Sequence, residues 1–423
     1  MAIDTPATIL FIGAGPIGLE AALYARYLGY NVEIFEAGEI CQHVRQWAHV
    51  KMFSPFAMNH SPLGVAAIES HYPQHSFPEA EQYITGQQWL DNYLLPLAAT
   101  DLLQPCIDTH SRVTSISRTW IQKTDLDTES RRSDPFRVVI EQAGKYQALT
   151  ADVVIDTSGV LSSPAPIGAG GVPAIGEEQL TNAIAHHIPS MSEAQSLSGK
   201  KVAVVGAGHS AACALVNLAQ AGVSVTWITR GDSQNALPRI PDDPLKERVR
   251  IVQDLHTLVD EKAIQLLPHA AIDSLQVGES QNPTSLQLGI YQKDNSDREG
   301  GMSEEHTTTL DWHWFDRVYG LTGYLVDNSI YKELQIHQCY ATEGSIKLAA
   351  SLLSQDKDNC LDITLGSSGL LKNPEPNFYQ LGIKSYGRHS GFLFNTGLQQ
   401  IVQLFQLIGD RETLDIYQTF STS

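Results

Sequence analysis

One arrangement of residues occurs twice in this chain of 423 residues and restricts its fold more than any other feature. In chain order, the first copy comprises an apolar run (8–12), glycines in Gly-x-Gly-x-x-Gly spacing (Gly13, Gly15, Gly18), a helical stretch (17–28) and a second apolar run (32–35). Glu36 ends that second run. A lone glycine pattern is weak evidence, but here strand, turn, helix, strand and acid fall in register. The order therefore predicts a βαβ unit that binds a dinucleotide.

Each glycine has a physical role in such a unit. Gly13 makes the tight turn, Gly15 leaves room for the pyrophosphate, and Gly18 lets the helix pack closely on the strand. The pyrophosphate lies at the helix N-terminus, and Glu36 accepts hydrogen bonds from a ribose 2′-hydroxyl. The residues predicted to contact this first dinucleotide are Gly13, Gly15, Pro16, Ile17, Gly18 and Glu36.

The second copy begins with Lys201 and the apolar run 202–205, and Ala211 takes its third glycine position, which the fingerprint tolerates. Thr229 follows Gly206 by the same 23 residues that separate Gly13 from Glu36, and Arg230 comes next. An acid there would repel a 2′-phosphate, whereas threonine and arginine favour it, so we expect NADP rather than NAD. The predicted contacts are Gly206, Gly208, His209, Ser210, Thr229 and Arg230.

Charge and composition narrow the partners. With 28 basic and 47 acidic residues the net charge is −19, which disfavours nucleic acid and anionic membranes. We find no signal peptide and no apolar run near the ~20 residues that a membrane-spanning helix needs, so we expect a cytoplasmic protein. A homo-oligomer is compatible with this composition.

Two further segments carry a family resemblance. Residues 153–159, ending in Gly159, and residues 315–324, followed by Asp327, flank the second fingerprint. With both fingerprints, they make the chain resemble the two-dinucleotide-binding flavoprotein superfamily, similar to flavin-containing monooxygenases and lysine/ornithine N-monooxygenases. The resemblance implies an α/β fold of two Rossmann-like domains, with the NAD(P)-binding domain inserted into the FAD-binding domain. The implied boundaries are 1–162 and 325–423 for FAD, and 163–324 for the nicotinamide nucleotide.

Polar stretches at 121–134 and 292–307 are predicted surface loops or hairpin tips.

The same resemblance implies contacts to FAD outside the glycine turns. Trp47 corresponds to a tryptophan near the isoalloxazine, and the backbone near Val113 corresponds to a segment that contacts the adenine. Gly159 ends the segment where the chain first crosses from the FAD-binding domain towards the nucleotide-binding domain. In the closing segment 377–397, Lys384 and Arg388 correspond to cations that support the reduced flavin. Alternatively, Val113 is a core residue and the two cations are solvated loop residues.

The resemblance implies a flavoprotein oxidoreductase that uses FAD and NADPH. The first function class is a monooxygenase, in which oxygen adds at flavin C4a and is transferred to a nucleophilic nitrogen or sulfur of a small molecule. The alternative is an NAD(P)H-dependent reductase that passes electrons to a quinone, disulfide or protein. The sequence assigns no catalytic residue and no metal site.

Two observations bear on that choice. The five cysteines, Cys41, Cys106, Cys213, Cys339 and Cys360, include no Cys-x-x-Cys or Cys-x4-Cys pair, which disfavours a dithiol reductase. A redox pair of Cys339 and Cys360 is a further hypothesis. Against the monooxygenase, the segment 171–190 departs from the Phe-x-Gly-x-x-x-His motif of flavin monooxygenases, since no phenylalanine precedes Gly176 and the spacing to His186 or His187 is longer.

Overall fold

The computed structural model describes residues 2–231, 237–277, 285–292, 310–355, 361 and 366–421. The chain divides into two compact units. Unit 1 consists of Met1–Ser163 and Leu325–Ser423, and unit 2 consists of Pro164–Tyr324. Each unit contains a five-stranded parallel sheet, which confirms the predicted α/β class with two Rossmann-like folds.

The strands are numbered in chain order. They are β1 (Thr8–Ile12), β2 (Asn31–Phe35), β3 (Ile107–Asp108), β4 (Ser111–Arg118), β5 (Phe136–Gln142), β6 (Lys145–Ala151), β7 (Val153–Asp156), β8 (Ile184–Ala185), β9 (Lys201–Val205), β10 (Ser224–Ile228), β11 (Gln265–Leu267), β12 (Ala270–Val277), β13 (Leu286–Gln292), β14 (Leu310–Phe315), β15 (Arg317–Gly320) and β16 (Phe378–Gln380).

The helices are numbered in the same way. They are α1 (Pro16–Tyr27), α2 (Gln42–Gln46), α3 (Pro62–His71), α4 (Gly86–Trp89), α5 (Leu95–Ala98), α6 (Thr128–Ser133), α7 (Met191–Ser196), α8 (His209–Gln220), α9 (Lys246–Asp260), α10 (Ile346–Leu353), α11 (Ile383–Tyr386), α12 (Phe394–Gly409) and α13 (Ile416–Ser421). A π-helical turn, Leu90–Leu94, joins α4 to α5. Within the described parts of the chain, no helix is both long and apolar enough to cross a membrane.

The parallel sheet of unit 1 has the strand order β16-β7-β1-β2-β3 and is covered on both faces. Ile9 and Phe11 of β1 lie in the core that includes α1 and α12. Leu10 and Ile12 point the other way, into a core shared with the antiparallel sheet β4-β5-β6. Burial on both faces explains why β1 is a continuous apolar run rather than an alternating one.

Unit 2 repeats this plan with the strand order β11-β10-β9-β15-β8. Ala203 and Val205 of β9 share a core with Ile272 and Leu288 of the antiparallel sheet β12-β13-β14. Helices α8 and α9 pack against each other, and α8 also packs on β9 and β10. The second fingerprint thus occupies the turn between β9 and α8, as the first occupies the turn between β1 and α1.

One predicted loop is partly helical. The stretch 121–134 contains α6, whose N-terminus is capped by Asp127, because that carboxylate accepts a hydrogen bond from the Ser130 amide at 3.0 Å. Arg131 of this helix is buried in an ion pair with Glu375. The prediction of a surface loop at 121–134 was therefore wrong for α6. The second predicted loop, 292–307, lies outside the described residues after Gln292.

Candidate dinucleotide sites

The first glycine turn has the three properties that its spacing predicts. Gly13 has a φ of +98°, a conformation that favours glycine. A Cβ atom added at Gly18 would lie 2.2 Å from the Gly13 carbonyl oxygen, so only glycine lets α1 approach the turn this closely. At Gly15 an added Cβ would meet nothing within 4 Å, which leaves open space where the pyrophosphate is predicted.

The start of α1 is suited to an anion. Its N-cap is Gly15, so no side chain caps the first amides, and Pro16 occupies the first turn. The first turn contains no acidic residue, and Ile17 is buried beneath it. Uncapped amides at the positive end of a helix dipole fit the pyrophosphate of FAD.

Glu36 lies just after β2, where the ribose is predicted. Its carboxylate accepts hydrogen bonds from the Ala14 amide at 2.8 Å and the Gly38 amide at 2.9 Å. These two bonds orient the half-buried carboxylate. Each oxygen keeps acceptor capacity for a ribose hydroxyl, which fits the predicted role.

Residues directly after β7 also hold the first glycine turn in place. The Thr157 hydroxyl donates to the carbonyl of Ile12 at 2.9 Å and to that of Gly13 at 3.0 Å. A Cβ added at Gly13 would lie 3.0 Å from the Ser158 Cα atom, so the segment directly after β7 is in close contact with the turn. Gly159 follows with a φ of +73°. The sequence placed this crossing beside the FAD turn without identifying Thr157 as its anchor.

The second glycine turn repeats the geometry in unit 2. Gly206 has a φ of +132°, and a Cβ there would lie 2.2 Å from the Leu321 carbonyl oxygen. Gly208 opens onto space, since nothing lies within 4 Å of an added Cβ. Ala211 is fully buried at the third position. The indole Nε1 of Trp227 donates to the Gly206 carbonyl at 2.7 Å, which anchors this turn from β10.

Helix α8 also begins without a side-chain cap or an early acidic residue. His209 is its first residue, and Ser210 is exposed beside it. Burial, with a smaller effect of the Arg248 cation, lowers the pKa of His209 to about 4. At neutral pH the imidazole is therefore uncharged, so the backbone amides carry the attraction for phosphate at this turn.

The two residues that favour NADP are placed differently. The Thr229 side chain is buried, and its hydroxyl donates to the Gly231 carbonyl at 2.9 Å. Arg230 is exposed directly after it. Of the two, Arg230 presents its charge to solvent at the carboxyl end of β10, while Thr229 shapes the turn.

The segment after the first βαβ unit contains Trp47, predicted near the isoalloxazine. Trp47 is half-buried and lies against α4, where a Cβ on Gly86 would come within 2.7 Å of its ring. Its ring centroid is 6.3 Å from that of Trp89. Trp47 therefore packs on the core of unit 1, and its contact with flavin stays a prediction.

Val113 lies on β4, and its side chain belongs to the core between the two sheets of unit 1. The structure thus supports the core interpretation of its side chain. A backbone contact to adenine stays a prediction.

The closing segment places the two predicted cations in ion pairs. Lys384 is buried, and its Nζ atom lies 2.7 Å from Asp156 Oδ2. Arg388 is exposed, and its Nη2 atom lies 2.6 Å from Glu343 Oε1. The alternative interpretation of Lys384 as a solvated loop cation is therefore wrong. Sequence reasoning missed Asp156, although an acid at the end of an apolar strand was a usable signal.

The cysteines that the structure describes, Cys41, Cys106, Cys213 and Cys339, are free thiols. Cys41 is buried beside the first glycine turn, its thiol donates to the Ala14 carbonyl at 3.4 Å, and burial raises its pKa. Burial raises the pKa of Cys213, within α8, to about 12. The hypothesis of a Cys339–Cys360 pair is untested, because Cys360 lies outside the described residues.

Comparisons with solved structures show the same fold. A bacillithiol disulfide reductase from Bacillus cereus is 17% identical and superposes with a TM-score of 0.67, over 96% of this chain and 99% of that one. An ornithine N-hydroxylase from Kutzneria sp. 744, with reduced FAD, NADP⁺ and L-ornithine, is 14% identical and has a TM-score of 0.59. The match covers 96% of this chain and 100% of that one. A thioredoxin reductase from Lactococcus lactis is 14% identical with a TM-score of 0.56, over 98% and 99%.

A search of curated protein sequences finds no match. The model of the pyridine nucleotide-disulphide oxidoreductase family matches residues 10–288, which include both glycine turns. Enzymes of this family use FAD and a nicotinamide nucleotide, and the fold and both turns agree with that use. The chain therefore belongs to the pyridine nucleotide-disulphide oxidoreductase family.

Proposed function

We propose that unit 1 binds FAD, that unit 2 binds NADPH, and that the protein is an NADPH-dependent monooxygenase. The assignment of nucleotides rests on the two turns. Glu36 suits a free ribose hydroxyl beside the first turn, whereas Arg230 is an exposed cation beside the second. A carboxylate repels a 2′-phosphate and a guanidinium binds it, so NADPH belongs to unit 2.

The observation that bears on how electrons leave the flavin is the state of Cys41. It is the described cysteine placed beside the first glycine turn, yet its thiol is buried and donates to a backbone carbonyl. Because the thiolate is the nucleophile in disulfide exchange, a buried thiol with a raised pKa is a poor electron relay. We infer that electrons leave the flavin without passing through the Cys41 thiol.

Molecular oxygen is the acceptor that we propose. When bound, reduced FAD supplies the electrons for oxygen activation, and the protein supplies binding, orientation and exclusion of water. The proposed substrate is a small molecule with a nucleophilic nitrogen or sulfur. The fold shared with the ornithine N-hydroxylase from Kutzneria supports this proposal, and the departure of segment 171–190 from the monooxygenase motif is the main feature against it.

A second candidate is a reductase that passes electrons from NADPH to a small disulfide or quinone. The family match and the similarity to the bacillithiol disulfide reductase from Bacillus cereus favour it. This candidate also proceeds without a dithiol in the protein, so the cysteines do not separate the two.

Labelled oxygen separates them. FAD-loaded protein is mixed with NADPH and a panel of amines and thiols under ¹⁸O₂, and products are analysed by mass spectrometry. The monooxygenase incorporates one labelled atom into a product and consumes NADPH in proportion. If no product acquires label, and anaerobic NADPH oxidation with a quinone or a low-molecular-weight disulfide is fast, the reductase is correct. Gly208→Leu is the matched control, since it should bind FAD but lose turnover with NADPH.

A further inference from the structure

A buried ion pair lies at the carboxyl edge of the parallel sheet in unit 1. The Lys384 Nζ atom is 2.7 Å from Asp156 Oδ2 and 2.9 Å from the Ser158 hydroxyl oxygen. The side chains of Lys384 and Asp156 are only 3% and 0% exposed. The second carboxylate oxygen, Asp156 Oδ1, accepts from the Ser158 amide at 2.9 Å and its hydroxyl at 2.7 Å. Water therefore screens this pair little.

The pair lies close to the predicted path of FAD. Asp156 ends β7, which neighbours β1 in the sheet, and the strand connections reverse direction between these two strands. Ligands of open parallel sheets bind at such a switch point, beyond the carboxyl ends of the strands. Ser158 connects the two features, because it contacts both the Gly13 turn and Lys384. Ile383, next to Lys384, lies 3.9 Å from a Cβ built on Gly159.

The groups around the pair are mostly neutral. The Lys384 ammonium lies 5.4 Å from the centre of the Tyr331 ring, and Gln380 Nε2 lies 2.5 Å from the Tyr331 hydroxyl. Burial raises the pKa of Tyr331, which keeps its phenol uncharged. Asp327 is a second carboxylate within electrostatic range of Lys384, and its pKa is lowered first by a hydrogen bond with Ser329 and to a smaller extent by Lys384 and Arg112.

We propose that Asp156 and Lys384 lie beside the flavin as a charge-compensated pair, in which each residue cancels the effect that the other alone would have on the flavin reduction potential. The proposal rests on the proposed binding of FAD to unit 1. Reduction places negative charge on the flavin, and an uncompensated buried cation would favour the reduced state while an uncompensated buried carboxylate would oppose it. Because Asp156 cancels the charge of Lys384, Lys384 does not act on the reduced flavin as an unpaired cation.

The test measures the flavin midpoint potential of FAD-loaded protein during anaerobic dithionite titration against a reference dye. Asp156→Asn keeps the acceptor for Ser158 but removes the negative charge, and we expect it to raise the potential. Lys384→Met should lower the potential. We expect about a tenfold change in the ratio of reduced to oxidised flavin in each, which is about 30 mV for a two-electron couple. The double variant should return close to the wild-type value.

Opposite shifts that cancel in the double variant are the signature of charge compensation, because damage to the fold would not reverse sign. Glu129→Gln is the matched control, since its pair with Arg132 is 70% and 37% exposed and solvent screens it. Single-variant shifts of one sign, or no larger than that of the control, would overturn the proposal. If Asp156→Asn fails to retain FAD, the potential of Lys384→Met alone tests the proposal, which then requires a potential lower than that of the wild type. Dithionite requires neither NADPH nor oxygen, so a wild-type protein that binds FAD but does not turn over would contradict the proposed function only.

Discussion

The Thr157 hydroxyl lies 3.0 Å from the Gly13 carbonyl oxygen and donates a hydrogen bond to it. In unit 2, Trp227 Nε1 makes the equivalent bond to Gly206 at 2.7 Å. In both units, therefore, a side chain from the end of a neighbouring strand fixes the carbonyl of the first glycine. The turns are held in one conformation by contacts within each unit, so little ordering is left for the dinucleotide to impose, which favours its binding.

Gly18→Ala should destabilise unit 1. The new methyl group would lie 2.2 Å from the Gly13 oxygen and 2.7 Å from the Thr157 hydroxyl, so α1 must move away from the turn. We expect a loss of about 1–3 kcal/mol in the free energy of unfolding, as for other overpacked positions. Urea unfolding of the apo-protein measures it. Gly15→Ala, which adds a methyl group in open space, should change stability little, and equal losses in both variants would contradict this account.

Gly15→Leu should give folded protein without FAD. Gly15 has a φ of −78°, which any residue adopts, and nothing lies within 4 Å of its Cβ position, so the leucine fills the pyrophosphate space without strain. Gly208→Leu should retain FAD and lose NADPH binding for the same reason. The absorbance of purified protein and titration with NADPH measure the two effects. Full flavin content in Gly15→Leu would show that the first turn is not the FAD site.

Arg230→Ala should raise the KM for NADPH and leave that for NADH nearly unchanged, because the lost contact is with the 2′-phosphate. Hydrogen bonds to charged groups contribute about 1.5–3 kcal/mol, so the increase should be about tenfold or more. Steady-state kinetics with both nucleotides measure it. Lys200→Ala removes an exposed cation at the amino end of β9 and serves as the control. Equal increases for NADPH and NADH would exclude the proposed preference.

The fold could be predicted from the sequence because its signals are local. The turns at Gly13 and Gly206 are specified by residues within a few positions of each other, and the structure places both as expected. The contacts that join distant segments gave no such signal. Lys384 meets Ser158 across 226 positions, and the burial of Arg131 depends on Glu375, 244 positions away.

The same reason explains what was missed at the candidate site. A lysine in a glycine-rich loop has the same local sequence whether it is solvated or paired inside the protein. Only the adjacency of β7 and β16 brings Lys384 to Asp156. The reaction class is even harder to predict from the sequence than this contact, because the substrate pocket depends on the placement of loops rather than on a repeated pattern.

Glu375→Gln should strongly destabilise unit 1. Glu375 accepts from Arg118 Nε at 2.8 Å and from Arg131 Nη2 at 2.5 Å, and all three side chains are at most 1% exposed. The neutral amide would remove the buried carboxylate that the two guanidinium groups share, at a cost of about 3–5 kcal/mol. Urea unfolding measures the loss. Glu129→Gln removes the exposed partner of Arg132 and should cost at most about 1 kcal/mol. Similar losses in the two variants would contradict the argument.

Glu20→Gln should stabilise the protein at alkaline pH and not at acidic pH. Glu20 lies inside unit 1 on α1, where the Tyr93 hydroxyl donates to it, and burial raises its pKa from 4.5 to about 7. Between these values the folded state binds more protons than the unfolded state, so the contribution of Glu20 to stability falls as pH rises from 4.5 to 7. The shift corresponds to about 3 kcal/mol. Glutamine keeps an acceptor for Tyr93 but cannot ionise. The difference in unfolding free energy between the variant and the wild type should therefore be small near pH 4.5 and grow towards pH 8. Glu69→Gln, at an exposed position of α3, is the control and should show no such trend. A difference that is independent of pH would show that Glu20 is ionised in the folded protein throughout this range.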